Sequence, residues 1–211
     1  KSEVDFYIPN KPMYRIFEID DMKYIKGLSG EFVVQEKYDG MRIQIHKKGS
    51  NVKVFSFNKK DITDKCKKQV DEMKKKHFGD CTLDAELVGF KGEEPVHRVD
   101  VVTHIFKKEV PELELKAHVF DIMYHEDKIE AEEPLRERIN ILFYQYSQHS
   151  TENLAFPSKK DTRIADSIEE VNKYSEDIME LPASEGVVIK DIESTYYVGI
   201  QKNPKWIKWK K

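Results

Sequence analysis

The sequence predicts an α+β fold of antiparallel sheets flanked by helices, and three observations lead there. Strand-like runs follow one another directly near the start: "EFVVQEKY", "MRIQIHKKG" and "NVKVFSF". Helical patterns come later, mixed with further strands but without regular βαβ alternation. No internal repeat or low-complexity linker divides the 211 residues, which fit one domain or two small ones sharing an interface.

Taken in order, the Lys-Lys-Gly-Ser-Asn break between the second and third runs has hairpin chemistry. "DITDKCKKQVDEMKKKHF" reads as an amphipathic helix with Cys66, Val70 and Met73 on one face and its lysines in water. "CTLDAELVGF" returns to strand, "HRVDVVTHIFKK" is more helix than strand, and "KAHVFDIMYHED" is a strongly apolar strand. "PLRERINILFYQYSQ" has helical apolar spacing with Pro near its start. In "SIEEVNKYSEDIMEL", Ser167 stands three residues before Glu170, a capping-box signature. "EGVVIKDI" and "YYVGI" read as strands, and "WIKWKK" follows at the end.

Composition narrows the function. Hydrophobic residues at 39% can fill a core, and no apolar run is long enough to span a bilayer. With 36 basic and 39 acidic residues the chain is no polycation, so any nucleic-acid surface must be a local patch. Cys66 and Cys81 form no C-x-x-C and read as reduced thiols. No secretory signal precedes "KSEVD", and the absent initiator Met points to a processed or excised piece of a cytoplasmic protein.

One stretch, "QEKYDGMRIQIH", places Lys37, Asp39, Gly40 and Arg42 at a spacing that a strand alone does not require. "EKYDGMR" matches the K-x-D-G-x-R signature of the covalent nucleotidyltransferases, the superfamily of ATP-dependent ligases and mRNA capping enzymes. Four further signatures follow in that superfamily's order: "LDAELV" around Glu86, "VFDIMY" around Phe120, "EGVVIK" from Glu185 to Lys190, and "WIKWK" from Trp206 to Lys210. The whole chain resembles the adenylation domain of an ATP-dependent DNA ligase of the archaeal and eukaryotic type.

The resemblance implies an ATP-grasp-like nucleotidyltransferase domain with the nucleotide in the cleft between its sheets. It makes Lys37 the nucleophile that takes AMP from ATP. A free lysine amine is neutral in roughly one molecule in a few thousand at pH 7, so the attack needs help. Lys190, Lys208 and Lys210 are expected to disfavour the ammonium and to hold phosphate oxygens, with a metal ion adding to both effects. Asp39 is expected to orient the nucleophile, and Arg42 the ribose or phosphate. Glu86 is expected at the ribose hydroxyls or a metal, and Glu185 at a divalent ion, Mg²⁺ or Mn²⁺. Phe120 would stack on the purine, although an apolar strand also suits it as core. Glu36 and Gln35 belong to the expected nucleotide contacts. The Gln35 amide can accept from adenine N6 but cannot alone reject guanine O6. Gly40 permits either a close ligand approach or an ordinary turn. Trp206 and Trp209 are expected to pack the last strand, and the seven histidines show no metal-ligand spacing.

Departures from the family pattern are also visible. Ligases usually carry Ser/Thr-Arg-Asn after the first signature, where this chain reads Ser56-Phe57-Asn58, leaving Lys59 or Lys60 to compensate. Lys202 stands where an arginine is common, and it too is expected to bind nucleotide. The implied activity is DNA nick sealing. Partners would be ATP and nicked double-stranded DNA, with a monomeric chain, no membrane, and a nucleoid or nuclear location. RNA ligation, cap guanylylation, or a nucleotide-binding module without turnover are the alternatives. The OB-fold and N-terminal DNA-binding domains of ligases are not among the signatures, so this piece is expected to adenylate slowly and seal poorly alone. ATP rather than a nicotinamide dinucleotide is the expected donor.

Overall fold

A computed structural model describes residues 17–18, 30–75, 78–196 and 206–210. Its strands are β1 (Phe17–Glu18), β2 (Phe32–Lys37), β3 (Met41–Lys48), β4 (Asn51–Ser56), β5 (Cys81–Lys91), β6 (Glu94–Pro95), β7 (Leu113–His125), β8 (Lys128–Ile129), β9 (Leu154–Ala155), β10 (Thr162–Ala165), β11 (Gly186–Asp191) and β12 (Trp206–Lys210). The helices are α1 (Lys67–Lys75), α2 (Arg98–Phe106), α3 (Leu135–Ile141) and α4 (Ile168–Met179). Two sheets result. One runs β1-β12-β11-β2-β10; the other runs β4-β3-β5-β7-β8, with β6 on β5 and β9 on β7. All pairs are antiparallel except β1 with β12 and β7 with β9.

Strand alternation divides each sheet into a core face and a cleft face. Val34, Val187, Ile189 and Ile207 of the first sheet pack with Val171 and Ile178 of α4. Met41, Ile43, Ile45, Leu83, Ala85 and Leu87 of the second sheet join Val70, Met73, Val101 and Ile139 from α1, α2 and α3. The alternate positions on both sheets are therefore left to face one another.

Local chemistry sets the helix ends. Ser167 Oγ accepts from Glu170 N at 3.2 Å, which caps α4 as its spacing predicts. The Glu170 carboxylate accepts from Asp166 N at 3.0 Å, one residue earlier than a strict capping box. The first helical reading is corrected at its start: Thr63–Lys65 is a 3₁₀ turn, and the α-helix begins at Lys67. Thr63 explains this, because its Oγ1 and N are committed to Asp61 and its Oγ1 also accepts from Val54 N. Cys66, Val70 and Met73 are buried, as their spacing implies, and both cysteines are free thiols pushed up to about 12 by burial. Most of the expected "YYVGI" strand, together with Lys202 and His77, lies outside the described residues; Tyr196 is described and is not in a strand.

Candidate active site

The register of β2, β11 and β12 builds one wall of a cleft of about 360 Å³. Gly186 pairs with both Lys37 and Lys210, Val188 with Gln35 and Lys208, and Lys190 with Trp206. Gln35, Lys37, Lys190, Trp206, Lys208 and Lys210 accordingly share the face that lines the cleft. Such a register needs β11 and β12 to approach closely at Gly186, whose φ is +152°, because a Cβ there would stand 2.3 Å from Trp209 O.

The opposite wall comes from β3, β5 and β7. Arg42 pairs with Glu86, and Asp84 with Asp121. A β-bulge lies between Asp84 and Ala85: their partners on β7 are Asp121 and Val119, so Phe120 is the extra residue. Val119 and Ile122 remain in the core while Phe120 turns into the cleft. Bulges re-aim side chains in this way.

Lys37 Nζ donates to Glu185 Oε2 in a salt bridge, both side chains being partly exposed. The Glu185 backbone N donates to Lys37 O at 3.0 Å, which fixes the two residues doubly. The charged group bonded to Lys37 is thus a carboxylate, where the sequence suggests cations. On the other wall, Arg42 grips buried Asp84 with Nε at 3.0 Å and with a second bond from Nη2. Tyr196 Oη donates to Asp84 Oδ2 at 2.7 Å, and its oxygen lies 3.1 Å from Arg42 Nη2. Asp84 holds the guanidinium protonated more firmly than usual, against the cost of its burial.

Glu86 is half-buried, and desolvation raises its carboxyl to about 7, opposed by Arg42, Lys37 and Arg98. Lys190 is buried to 2% exposure, and desolvation lowers its amine to about 7. That amine donates to Gln35 Oε1 and stands 4.7 Å from the Phe120 ring and 4.0 Å from the Trp206 ring. Gln35 Nε2 donates to Phe120 O at 3.4 Å. Since the Phe120 carbonyl can only accept, the Gln35 amide is set with nitrogen toward Phe120 and oxygen toward Lys190.

Residues 17–210 match the profile of the ATP dependent DNA ligase domain. The chain belongs to that family. A DNA ligase of Archaeoglobus fulgidus is 31% identical over 182 residues, covering 84% of this chain and 31% of that protein. One of Sulfolobus acidocaldarius is 28% identical over 213 residues, covering 97% and 34%. Among solved structures, the ligase domain of M. tuberculosis LigD superposes with a TM-score of 0.65 at 15% identity, over 95% of this chain and 59% of that one, which shows the same fold. The ligase-family chain spans about a third of the length of these curated relatives.

Within this ligase-family chain the site residues divide. Gln35, Lys37, Arg42, Glu86, Phe120, Glu185, Lys190, Lys208 and Lys210 all line the one cleft. Lys190 sits at its Gln35–Phe120 end rather than beside the Lys37–Glu185 pair. Glu36 touches the cleft, but its carboxyl bonds to Tyr38 with Asp161 nearby, on the far side of β2. Asp39 also lines the cleft, with its carboxylate engaged by α2. Its Oδ1 accepts from Arg98 N at 3.2 Å and its Oδ2 lies 2.9 Å from His97 Nδ1, so it caps α2. His97, which has no metal-ligand spacing in the sequence, is thus the side-chain partner of Asp39. Gly40 has a third reason for being glycine: a Cβ would stand 2.3 Å from Leu87 O, in the backbone of β5. Trp206 is buried and Trp209 packs on the α4 cluster, as expected of them.

Asp84, Tyr196 and Arg98 are site residues that motif reading passed over. Asp84 carried a signal, being two residues before Glu86 and so on the same strand face. Tyr196 and Arg98 carried none, since the turn and the helix end that deliver them have no signature.

Proposed function

We propose that this chain is the adenylate-forming part of an ATP-dependent DNA ligase. The observation that carries the reading is Lys37 held by Glu185 at the end of β2, between a wall of lysines and a wall bearing Arg42, Glu86 and Phe120. A cleft of about 360 Å³ is the size of a small-ligand site.

In the first step the Lys37 amine attacks the α-phosphorus of ATP. A P–N bond forms, the P–O bond to pyrophosphate breaks, and the amine loses its proton. Glu185 aims the amine and is the carboxylate beside it that can accept that proton. Phe120 offers the purine a ring face, a contact worth about 1–3 kcal/mol. Gln35, its oxygen already partnered by Lys190, keeps its second lone pair for adenine N6. Glu86 takes the ribose hydroxyls or a cation, and Lys208 and Lys210 neutralise phosphate charge. The adenylate then passes to the 5′-phosphate of a nicked duplex, and the 3′-hydroxyl closes the nick with release of AMP.

Glu86 and Glu185 suit Mg²⁺ or Mn²⁺: they are hard oxygen donors, and no cluster of three metal-ligating side chains exists among the described residues. Mg²⁺ characteristically binds through one or two carboxylates plus substrate phosphates. When bound, such an ion would supply charge neutralisation at the phosphates. Net charge is −3, so duplex affinity depends on a local patch, and we expect the isolated chain to seal nicks poorly at physiological salt. No helix among the described residues is long and apolar enough to cross a membrane.

Intact-mass measurement after incubation with ATP and Mg²⁺ is the test. The wild type should gain the mass of one AMP and Lys37→Ala should not. Label from GTP but not ATP would instead indicate a guanylyltransferase, and no adduct from either would leave a binding module.

A further inference from the structure

Arg98 belongs to no signature, yet it lines the cleft. Three contacts fix it there. Its backbone N donates to Asp39 Oδ1 at 3.2 Å, its Nη1 donates to Gly40 O at 3.1 Å, and its guanidinium carbon stands 4.8 Å from the centre of the Phe57 ring. Both Asp39 and Gly40 lie in the turn that follows Lys37. Phe57, the departure that leaves β4 without an arginine, is thus the platform on which an arginine from α2 rests. Neither Lys59 nor Lys60 lines the cleft, and Lys60 Nζ instead stands 5.6 Å from the Phe106 ring centre.

We infer that Arg98, seated on Phe57 and tied to the Lys37–Gly40 turn, binds the terminal phosphate of the polynucleotide that receives AMP. An arginine stacked on a ring keeps its planar edge available for bidentate contact with phosphate. Position selects the polymer over ATP. A cleft of about 360 Å³ admits a nucleotide but not a duplex, so the polynucleotide meets only the rim. Arg98 is exposed at that rim, at the N-terminus of α2. The step it serves is attack by an oxygen of the 5′-phosphate on the phosphorus of lysyl-AMP. A P–O bond forms, the P–N bond to Lys37 breaks, and its electron pair returns to the amine, which takes up a proton.

The inference rests on the ligase reading, and the test separates the two. The full-length protein is loaded with AMP, freed of ATP, and mixed with nicked duplex carrying a 5′-phosphate, with AMP transfer followed in a single turnover. Arg98→Ala should slow transfer by about 10- to 100-fold, the loss of a charge-assisted phosphate contact. Transfer should slow at least tenfold more than loading of Lys37 does, and the salt dependence of transfer should weaken by about one ion. Arg98→Lys should fall between, and Phe57→Leu should slow the same step while Phe57→Trp preserves it. Equal slowing of loading and transfer by Arg98→Ala, or no slowing of transfer, would overturn the assignment. Failure of the wild type to load AMP would overturn the ligase reading itself.

Discussion

Lys37 donates its amine to the Glu185 carboxylate, and Glu185 returns a backbone N–H to the Lys37 carbonyl at 3.0 Å. The pair bridges β2 and the entry to β11, so the sheet holds together the backbones that carry the amine and the carboxylate. Glu185→Gln keeps the shape and a hydrogen-bonding group but removes the charge. Adenylation measured by intact mass over time should slow by roughly 10²- to 10⁴-fold, the range for loss of a positioned proton acceptor. The melting temperature should stay close to that of the wild type, because a half-exposed pair contributes about 1 kcal/mol or less. Near-normal adenylation by Glu185→Gln would remove this residue from the chemistry.

Glu86 gives the site a pH signature. Burial raises its folded pKa to about 7 from an ordinary value of 4.5. The folded state therefore holds the proton more tightly than the unfolded chain. Its contribution to stability is complete below pH 4.5 and is lost as pH rises through 7, by up to about 3 kcal/mol. Glu86→Gln should flatten the stability profile across that window, as denaturant titrations at several pH values would show. Divalent-ion affinity of the wild type should strengthen from pH 6 to pH 8, because a cation must displace the Glu86 proton.

Lys190 carries the opposite sign. Burial lowers its amine to about 7 from 10.5, with Arg42 and Arg138 adding to the effect while Asp121 and Asp84 oppose it. Its contribution is present above pH 10.5 and lost as pH falls through 7. Lys190→Met should consequently lose less stability than the wild type on acidification from pH 9 to pH 6. The variant should also bind ATP more weakly, since Gln35 loses the donor to its amide oxygen. Calorimetric melts and nucleotide titrations at both pH values separate the two effects.

How much of this was open to a reader of residues alone depends on the period of each element. Alternation makes part of the cleft face legible, because Gln35 and Lys37 fall two apart on β2 and Lys208 and Lys210 two apart on β12, while Lys190 on β11 is placed by resemblance. Phe120 was legible by resemblance only: strict alternation from Val119 and Ile122 cannot place it, and a bulge does. Asp39 is expected to orient Lys37 through its place in the K-x-D-G-x-R signature. The turn sends its carboxylate to the N-terminus of α2, a long-range contact that no local pattern encodes. Arg98 was hidden for the same reason, and Phe57 registered only as the loss of an arginine.

Behind the cleft, Arg138 of α3 makes a bidentate pair with Asp121 of β7, at 2.8 and 3.1 Å, with both side chains at 0% exposure. Nη1 also donates to the carbonyls of Glu133 at 2.6 Å and Ser194 at 2.8 Å. Asp121 follows the bulged Phe120, so this pair fixes the strand that carries the purine platform. Arg138→Met should cost about 3–5 kcal/mol, because it leaves a buried carboxylate unpaired. Adding Asp121→Asn should recover part of that loss in a double-mutant cycle. Full additivity of the two changes would show that the pair is not coupled.

Gly186 tests the register itself. It is the residue through which β11 meets both Lys37 and Lys210, and a methyl group there would collide with the backbone of β12 at Trp209 O, 2.3 Å away. Backbone cannot swing aside as a side chain can, and φ of +152° disfavours any residue with a Cβ. Gly186→Ala should therefore cost roughly 1–3 kcal/mol of stability, the range for overpacking. It should also displace Lys208 and Lys210 from the wall that Lys37 shares. Adenylation ought to fall further than the stability loss explains, because the folded fraction stays high while the phosphate-facing lysines move. Measured at a temperature where the variant is fully folded by circular dichroism, a normal adenylation rate would show that β12 does not need this spacing to serve the amine.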